Sequence, residues 1–305
     1  MEKIVKEILK LKEDRNAIIL AHNYQRPEVQ DIADFVEDSY GLAKQAAKTK
    51  ASVIVFCGVD FMAETASILN PDKKVLIPDL NAKCPLACML STEDLIKKKK
   101  EYPDAEVVLY INTHAIHKAY ADCICTSSNA VKIVNSMNSD TVIFGPDMNL
   151  THYVQKRTNK KLVQVPDNGL CPTHHMISEL EISLVKEKHP NAKLVVHPET
   201  TPDVQELADH IASTGGIVNY CKNSSDKEFI IGTENGIIHR LEKECPGKKF
   251  YPISPNVICK NMKFHTLEKV LDSLKNYQFE VKVPDEIAEK ARKAINRMIE
   301  ITEKS

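Results

Sequence analysis

An internal repeat of 87 to 88 residues constrains the fold of this chain more than any other feature of its sequence. In three segments a lysine pair precedes a short apolar run, a proline and, eleven positions after the first lysine, a cysteine: KKVLIPDLNAKC (73–84), KKLVQVPDNGLC (160–171) and KKFYPISPNVIC (248–259). The same period relates three glycines, each followed two residues later by an acid: Gly58 and Asp60, Gly145 and Asp147, Gly232 and Glu234. Because several landmarks share one period, the sequence predicts three copies of one structural unit.

Within this period, short apolar runs alternate with helical patterns. The predicted strands are 17–22, 52–57, 107–112, 141–145, 193–197 and 229–232. Such alternation favours parallel sheets covered by helices. The predicted fold class is α/β, with three pseudo-threefold-related α/β/α three-layer units whose short parallel sheets surround a central cavity. The expected units are residues 1–90, 91–175 and 176–262, followed by a C-terminal segment, 263–305, that packs back on the first unit.

Composition argues against several classes of protein. The 41 basic and 42 acidic residues leave a net charge of −1, which disfavours a broad surface for nucleic acid. The longest apolar runs are shorter than the roughly 20 residues that span a bilayer. The opening MEKIVKEILKLKEDR is amphipathic and lacks the apolar core of a signal peptide. We therefore expect a cytoplasmic protein whose nine cysteines are thiols, metal ligands or core residues.

Polar side chains follow the first strand of each predicted unit. They form three pairs at one repeat position: His22 and Tyr24, Tyr110 and Asn112, His197 and Glu199. A hydroxyl residue stands where a later helix of each unit is expected to begin: Ser39, Ser127 and Thr214. Ligands bind at the carboxyl ends of parallel strands, and helix N-termini favour anions, so these groups should face one cavity. Glu199 would suit general-base chemistry if burial raised its pKa towards the working pH.

Three cysteines at one repeat position would meet in the same cavity: Cys84, Cys171 and Cys259. Soft thiolates in threes suit iron–sulfur chemistry or zinc. A structural zinc site normally has four ligands in closely spaced pairs, whereas a cubane cluster on three cysteines leaves one iron open as a Lewis acid. Buried core thiols are the remaining interpretation. No role is assigned to the other six cysteines: Cys57, Cys88, Cys123, Cys125, Cys221 and Cys245.

Longer motifs resemble a known family. The segments that carry the resemblance lie between about residues 17 and 270, and they are AHNYQRPEVQDIADFVEDS, YINTHAIHKAYADCICTSSNAVKIV, GLCPTHH, HPET and CKNMKFHTLEK. They resemble the quinolinate synthase family. The resemblance implies three similar α/β/α domains and an oxygen-sensitive 4Fe–4S cluster held by Cys84, Cys171 and Cys259. It implies an enzyme that condenses iminoaspartate with dihydroxyacetone phosphate to quinolinate, phosphate and water in de novo NAD biosynthesis.

The resemblance also implies roles for individual residues and partners. The implied catalytic residues are Tyr24, Tyr110, Glu199, His22 and His197. The implied substrate-binding residues are His22, Ser39, Tyr110, Asn112, Ser127, His197, Glu199 and Thr214. His174 and His175 follow Cys171 within the segment CPTHH. They are expected at most to contact the metal ligands without binding the metal themselves. The expected partners are the two small substrates, with iminoaspartate handed over by an aspartate oxidase or aspartate dehydrogenase, and neither a nucleic acid nor a membrane.

Three other functions share part of this pattern. A diphthamide-biosynthesis-like enzyme also presents one cysteine from each of three related domains, but it would need a docking surface for a large protein substrate. A non-catalytic iron–sulfur sensor would need a DNA-binding or partner module, and the repeats occupy most of the chain. An aconitase-like hydratase would share the open iron, and only the family resemblance argues against it.

Overall fold

The computed structural model describes residues 2–304. It contains three four-stranded sheets in which every strand pair is parallel. The three sheets share one strand order, 2-1-3-4. The second and fourth strands of each unit lie at the two edges of its sheet, and the first and third lie between them. The α/β class and the three similar units are therefore confirmed. The exact boundaries of the units stay a prediction.

The first unit shows why these segments form central strands. Its elements are α1 (Glu2–Asp14), β1 (Ala17–His22), α2 (Pro27–Ile32), β2 (Phe35–Glu37), α3 (Ser39–Lys48), β3 (Val53–Cys57), α4 (Asp60–Leu69) and β4 (Lys74–Leu76). Every residue of β3 is buried. Ile54 and Phe56 pack into one apolar cluster, whereas Val53 and Val55 pack into another. Because alternate side chains point to opposite faces, both faces of the sheet are covered, which explains the continuous apolar run.

The second unit repeats this order. Its elements are α5 (Thr92–Glu101), β5 (Glu106–Tyr110), α6 (Ala115–Lys118), β6 (Cys123–Cys125), α7 (Ala130–Asn135), β7 (Thr141–Gly145), α8 (Met148–Gln155), β8 (Lys161–Gln164) and α9 (Pro172–His175). Gly145 ends β7 where the backbone of the neighbouring strand passes closely. A Cβ there would lie 1.7 Å from the carbonyl oxygen of Val165. Only glycine fits this approach, which accounts for one of the three periodic glycines.

The third unit and the C-terminal segment complete the chain. The elements of the third unit are α10 (Glu179–Lys188), β9 (Lys193–Val196), α11 (Pro202–Leu207), β10 (His210–Ile211), α12 (Thr214–Asn223), β11 (Glu228–Gly232), α13 (Ile237–Glu244) and β12 (Lys249–Pro252). Two helices follow, α14 (Leu267–Asn276) and α15 (Asp285–Glu303). Helix α14 packs on α1, and α15 packs against β6, α6, α7 and α4. The C-terminal segment thus contacts both the first and the second unit.

The predicted strands are all present, with ends that differ by at most two residues. The sequence patterns miss β2, β6 and β10, because these strands have only two or three residues and lie within or beside helical patterns. Helices α3 and α12 begin at the expected hydroxyl residues Ser39 and Thr214, but α7 begins at Ala130, three residues beyond Ser127. No helix among residues 2–304 has the length and apolar character needed to cross a membrane.

Candidate active site

One cavity lies where the three units meet. In each sheet the chain leaves the first strand towards the second on one side and towards the third on the other, which makes a topological switch point. The carboxyl ends of the first and third strands open there. All twelve residues that the sequence singled out line this cavity: His22, Tyr24, Ser39, Cys84, Tyr110, Asn112, Ser127, Cys171, His197, Glu199, Thr214 and Cys259. Their individual roles remain predictions.

Two histidines occupy equivalent strand ends and share one geometry. The main-chain amide of Tyr24 donates to Nδ1 of His22 over 3.2 Å, and the amide of Glu199 donates to Nδ1 of His197 over 3.3 Å. A neutral ring whose Nδ1 accepts a bond carries its proton on Nε2. Burial, with His197 as a neighbour, lowers the pKa of His22 to about 3. Burial likewise lowers the pKa of His197 to about 3, so both rings are neutral near pH 7.

Tyr24 belongs to a buried hydrogen-bonded chain that crosses two unit boundaries. Its Oη lies 2.5 Å from Oγ1 of Thr233 and 3.2 Å from Nε2 of His174. Oγ1 of Thr233 lies 2.7 Å from the same Nε2. Burial and the nearby negative charge of Glu199 raise the pKa of Tyr24 well above its usual value. Tyr24 therefore keeps its proton and is a candidate proton donor.

Glu199 accepts hydrogen bonds from several sides of the cavity. Its Oε2 lies 2.7 Å from Nδ1 of His174, and its carboxylate also accepts from the phenol of Tyr110. Burial alone would raise the pKa of Glu199, but His197, His174 and Tyr110 together lower the pKa to about 2. The condition for general-base chemistry, a pKa raised by burial, is not met, because the adjacent His197 and the hydrogen bonds from His174 and Tyr110 outweigh desolvation. Glu199 is an ionised acceptor that orients His174 and Tyr110.

The hydroxyl residues lie near the amino ends of helices at the cavity wall. Ser39 and Thr214 are the first residues of two ten-residue helices, which direct their positive dipole ends towards the cavity. The side chain of Asn23 donates to Oγ1 of Thr214 over 2.8 Å and fixes that hydroxyl. Oγ of Ser127 lies 3.2 Å from Nε2 of His197. Hydroxyls from three units and helix dipoles from two thus favour anionic groups in the cavity.

The three periodic cysteines supply a soft donor set without a fourth protein thiol in the cavity wall. Burial raises the pKa of Cys84, Cys171 and Cys259. Three ionised thiols in one buried cavity therefore need a positively charged partner, and a metal bound to sulfur provides it. The donor set fits a cluster held by three cysteines with one open metal position. Sγ of Cys171 also forms, with His174 and Glu199, a group whose ligand atoms lie within 4.8 Å of one another.

The other six cysteines are free thiols outside the cavity wall. Cys88 is exposed, so the Cys84–Cys88 spacing does not bring both residues into the cavity. The remaining five are buried within the units. These observations agree with packing roles, because burial raises the pKa of a thiol such as Cys57, to about 12, and leaves it inert.

Sequence reasoning missed two residues of the hydrogen-bonded chain. His174 was expected only to support the ligands, yet it contacts Tyr24, Thr233 and Glu199. Thr233 was not singled out, although the repeat contains a signal for it. The residue between the periodic glycine and acid is apolar in two units, Val59 and Pro146, and carries a hydroxyl only in the third.

The fold and the cavity define an α/β enzyme of three related units with its reactive side chains at their common centre. The family model described as quinolinate synthetase A protein matches residues 6–300. The chain is 55% identical over 300 residues to the quinolinate synthase of Pyrococcus abyssi, covering 98% of this chain and 99% of that one.

Two further relatives come from other lineages. The chain is 53% identical over 304 residues to the quinolinate synthase of Methanothermobacter thermautotrophicus, covering 99% and 100% of the two chains. It is 53% identical over 299 residues to that of Thermodesulfovibrio yellowstonii, covering 98% of each. The chain belongs to the quinolinate synthase family. These comparisons do not favour the diphthamide-biosynthesis-like alternative.

Proposed function

We propose that this protein condenses iminoaspartate with dihydroxyacetone phosphate in de novo NAD biosynthesis. The products are one quinolinate, one phosphate and two waters. Carbon, nitrogen, oxygen, hydrogen and phosphorus then balance, and the reaction needs no external oxidant or reductant. It does need carbon–carbon and carbon–nitrogen bond formation, loss of phosphate and repeated proton transfers, so a site for it must bind anions and move protons.

The proposed cofactor is a 4Fe–4S cluster held by Cys84, Cys171 and Cys259. When bound, such a cluster supplies a Lewis-acidic iron that can polarise a hydroxyl or carboxylate of the substrate. The donor chemistry of the cavity supports this assignment, because Cys84 is buried, Cys171 and Cys259 are partly buried, and no other cysteine among residues 2–304 lines the cavity. The remaining steps fall to side chains of the protein.

Proton transfer is assigned to the phenols of Tyr24 and Tyr110 and to His174. The ring of His174 contacts both Tyr24 and the carboxylate of Glu199. The pKa values of Tyr24 and Tyr110 are raised by burial and by the charge of Glu199, so both phenols can donate a proton near pH 7. Thr233 and His174 connect Tyr24 to Glu199 through hydrogen bonds of 2.5, 2.7 and 2.7 Å. This chain orients the phenol of Tyr24 and can pass a proton between Tyr24 and His174 without bulk water entering.

Substrate binding is assigned to the hydroxyls and the two strand-end histidines. Iminoaspartate carries two carboxylates and dihydroxyacetone phosphate carries a phosphate. Ser39, Thr214 and Ser127 would receive these anionic groups with the help of helix dipoles and main-chain amides. His22 and His197 are neutral Nε2–H donors and can bind an oxygen without adding a positive charge.

The single observation that carries the proposal is one buried cavity in which three thiols, two protonated phenols and an ionised carboxylate lie together. We place the enzyme in the cytoplasm, because all nine cysteines are free. Its proposed partners are the two small substrates. An aspartate oxidase or aspartate dehydrogenase would supply iminoaspartate, which hydrolyses readily in water and must be used soon after it forms.

The test is an anaerobic assay of reconstituted protein. Quinolinate and phosphate should appear in equal amounts from iminoaspartate, generated in place, and dihydroxyacetone phosphate. The purified protein should contain about four irons per chain, the content of one cubane cluster. Iron-loaded protein that forms no quinolinate would overturn the proposed reaction.

The ligand assignment has its own test. Cys84→Ala, Cys171→Ala and Cys259→Ala should each abolish the cluster absorbance, because each removes one of three sulfur ligands. Cys57→Ala and Cys245→Ala are the matched controls, since both thiols are buried outside the cavity wall. A full iron content in any of the first three variants would contradict the assignment.

A further inference from the structure

The periodic acids Asp60, Asp147 and Glu234 have no assigned role in the proposed reaction. The third strand ends at the periodic glycine in the second and third units and one residue before it in the first. In every unit the acid follows the glycine by two residues. The cysteine of the same unit lies 24 or 25 residues further along. The structure brings the two together again, and it does so in all three units.

The shared contact is one hydrogen bond to the main chain of the cysteine. The amide of Cys84 donates to Oδ1 of Asp60 over 3.0 Å, and the amide of Cys171 donates to Oδ2 of Asp147 over 2.9 Å. The amide of Cys259 donates to Oε1 of Glu234 over 3.1 Å. Asp147 and Glu234 are fully buried, so these two hydrogen bonds lie out of solvent. Burial raises the pKa of both acids, and a carboxyl oxygen can accept the bond from the cysteine amide in either protonation state.

A second repeated bond fastens the same loop two residues before each cysteine. The amide of Asp60 donates to the carbonyl of Ala82 over 2.8 Å. In the other two units the amide that follows the acid donates instead, from Met148 to Gly169 over 2.7 Å and from Asn235 to Val257 over 3.0 Å. The loop that carries each cysteine is therefore held at two points by the loop that carries the acid.

Other contacts of the acids differ from unit to unit. Asp147 caps α8 by accepting from the amide of Leu150 over 2.8 Å, whereas Glu234 accepts from the amide of Gly236. Asp60 pairs with His114 and Glu234 pairs with Lys263. Within residues 2–304, Asp147 has no basic side chain in ion-pair contact. Neither helix capping nor charge pairing is common to the three acids, but the bond to the cysteine amide is.

We propose that Asp60, Asp147 and Glu234 are positioning residues that fix the three cysteine loops so that their sulfurs converge on one metal cluster. This inference rests on the proposed function only in taking the three cysteines as cluster ligands. Asp60 and Asp147 do not line the cavity, and Glu234, which does, bonds the main chain of Cys259. Their contribution is to hold a preformed site, and it should appear as slow release of iron rather than as a change in the chemical step.

The experiment compares variants that keep the acceptor with variants that remove it. Asp60→Asn, Asp147→Asn and Glu234→Gln retain a carbonyl oxygen for the cysteine amide. Asp60→Ala and Glu234→Ala remove it. Asp147→Ser keeps a residue type that caps helices well but has one short hydroxyl, which cannot serve both the helix and Cys171. The measurements are iron per chain after anaerobic reconstitution, the rate of iron release to a chelator, and the thermal unfolding midpoint of the iron-free protein.

Two controls separate the proposed contact from general effects of a lost acid. Asp34→Ala removes an acid that accepts from the amide of Ile19 over 2.8 Å and lies outside the three cysteine segments. His114→Asn removes the ion pair of Asp60 but leaves its bond to Cys84. Both controls should release iron at the rate of the unmodified protein.

The truncated variants should release iron at least tenfold faster, and the carboxamide variants within about threefold of the unmodified protein. Release at the unmodified rate from Asp60→Ala, or equally fast release from Asp34→Ala, would overturn the proposal. Asp60 keeps a fifth of its side chain exposed, so Asp60→Ala decides the question if the two buried variants do not fold. If the unmodified protein binds no iron at all, the proposed function fails instead.

Discussion

The strand ends of the first and third units have the same backbone geometry but carry different chemistry. In both, a histidine accepts a bond on Nδ1 from the amide two residues later. That later residue is Tyr24 in the first unit and Glu199 in the third. One is a phenol whose pKa is raised, and the other is a carboxylate whose pKa is lowered to about 2. The repeat supplies a scaffold, and substitution at equivalent positions supplies an acid and an ionised acceptor in one cavity.

The turn that follows the third strand also carries different side chains at equivalent positions. Its middle residue is Val59 in the first unit and Thr233 in the third. Val59 is buried among apolar side chains, whereas Thr233 links Tyr24 to His174. A symmetric cavity would present three identical groups to a substrate that has no such symmetry. The differences between equivalent positions therefore identify the residues to change first.

The largest expected effect comes from removing the two contrasting groups. Tyr24→Phe removes the proposed proton donor, and Glu199→Gln removes the charge that orients His174 and Tyr110. Each should lower kcat by about 10²-fold or more while the iron content stays unchanged, as expected for the loss of a general acid–base group. Rates of quinolinate formation at saturating substrate are the measurement.

Matched controls exist outside the cavity. Tyr153→Phe changes a phenol that stacks under Arg157, and Glu206→Gln changes an exposed carboxylate paired with Lys156. Both should leave the rate within a few-fold. Near-normal turnover in Tyr24→Phe and Glu199→Gln together would mean that these side chains do not carry the proton transfers.

A smaller loss of kcat is expected when the turn residue of the third unit is replaced by the residue at the equivalent position of the first unit. Thr233→Val copies Val59 and removes a hydroxyl that bonds both Tyr24 and His174. Two lost hydrogen bonds of about 1 kcal/mol each predict a ten- to hundredfold lower kcat, with KM little changed. Thr233→Ser should restore most of the rate. Thr65→Val, which removes a buried hydroxyl bonded only to a main-chain carbonyl, is the control.

Much of the fold was predictable because each short strand pattern occurs three times at one spacing. A single run such as VIVFC fits a strand or a buried helix, but its recurrence before a glycine and an acid at a fixed spacing removes the ambiguity. The short edge strands were not predictable. Strand β2 has three residues, and the pattern around it continues into the helix that starts at Ser39. Pairing with β1, which is a tertiary contact, decides its structure.

The site was predictable in its membership but not in its electrostatics. Strand-end placement identified Tyr24 and Glu199, because parallel sheets expose those positions whatever surrounds them. The pKa of Glu199 depends on donors that arrive from other units, among them His174 and Tyr110. Thr233 is similar, since its importance comes from a partner 209 residues away. Sequence patterns do not encode such distances.

The two strand-end histidines also predict a pH dependence of stability. The pKa of each is about 3 in the folded protein and about 6.5 when unfolded. Their stabilisation is fully present above pH 6.5 and is lost as the pH falls towards 3, because only the unfolded chain binds the protons in that range. Each should contribute a mean slope of about 1 kcal/mol per pH unit between pH 7 and pH 5, rising to a limit of about 1.4 at lower pH. Urea unfolding of iron-free protein between pH 7 and pH 5 measures it.

A variant isolates one histidine of the pair. His197→Gln should flatten the fall in unfolding free energy between pH 7 and pH 5 relative to the unmodified protein, whatever its stability at pH 7. His152→Gln changes a partly buried histidine outside the cavity wall, and it should alter the slope less than His197→Gln. An equal slope in all three proteins would show that His197 is not held neutral by burial.

The smallest effect concerns the hydroxyl that faces the third unit's histidine. Oγ of Ser127 lies 3.2 Å from Nε2 of His197, and the two are proposed to bind one anionic group of the substrate. Ser127→Ala removes one neutral hydrogen bond, worth about 0.5–1.5 kcal/mol, and should weaken quinolinate binding about two- to tenfold without changing the iron content. Ser128→Ala is the closest control, because this exposed neighbour bonds Thr126 and does not line the cavity. Equal dissociation constants for the two variants would remove Ser127 from the binding site and leave His197 as the only ligand contact at that strand end.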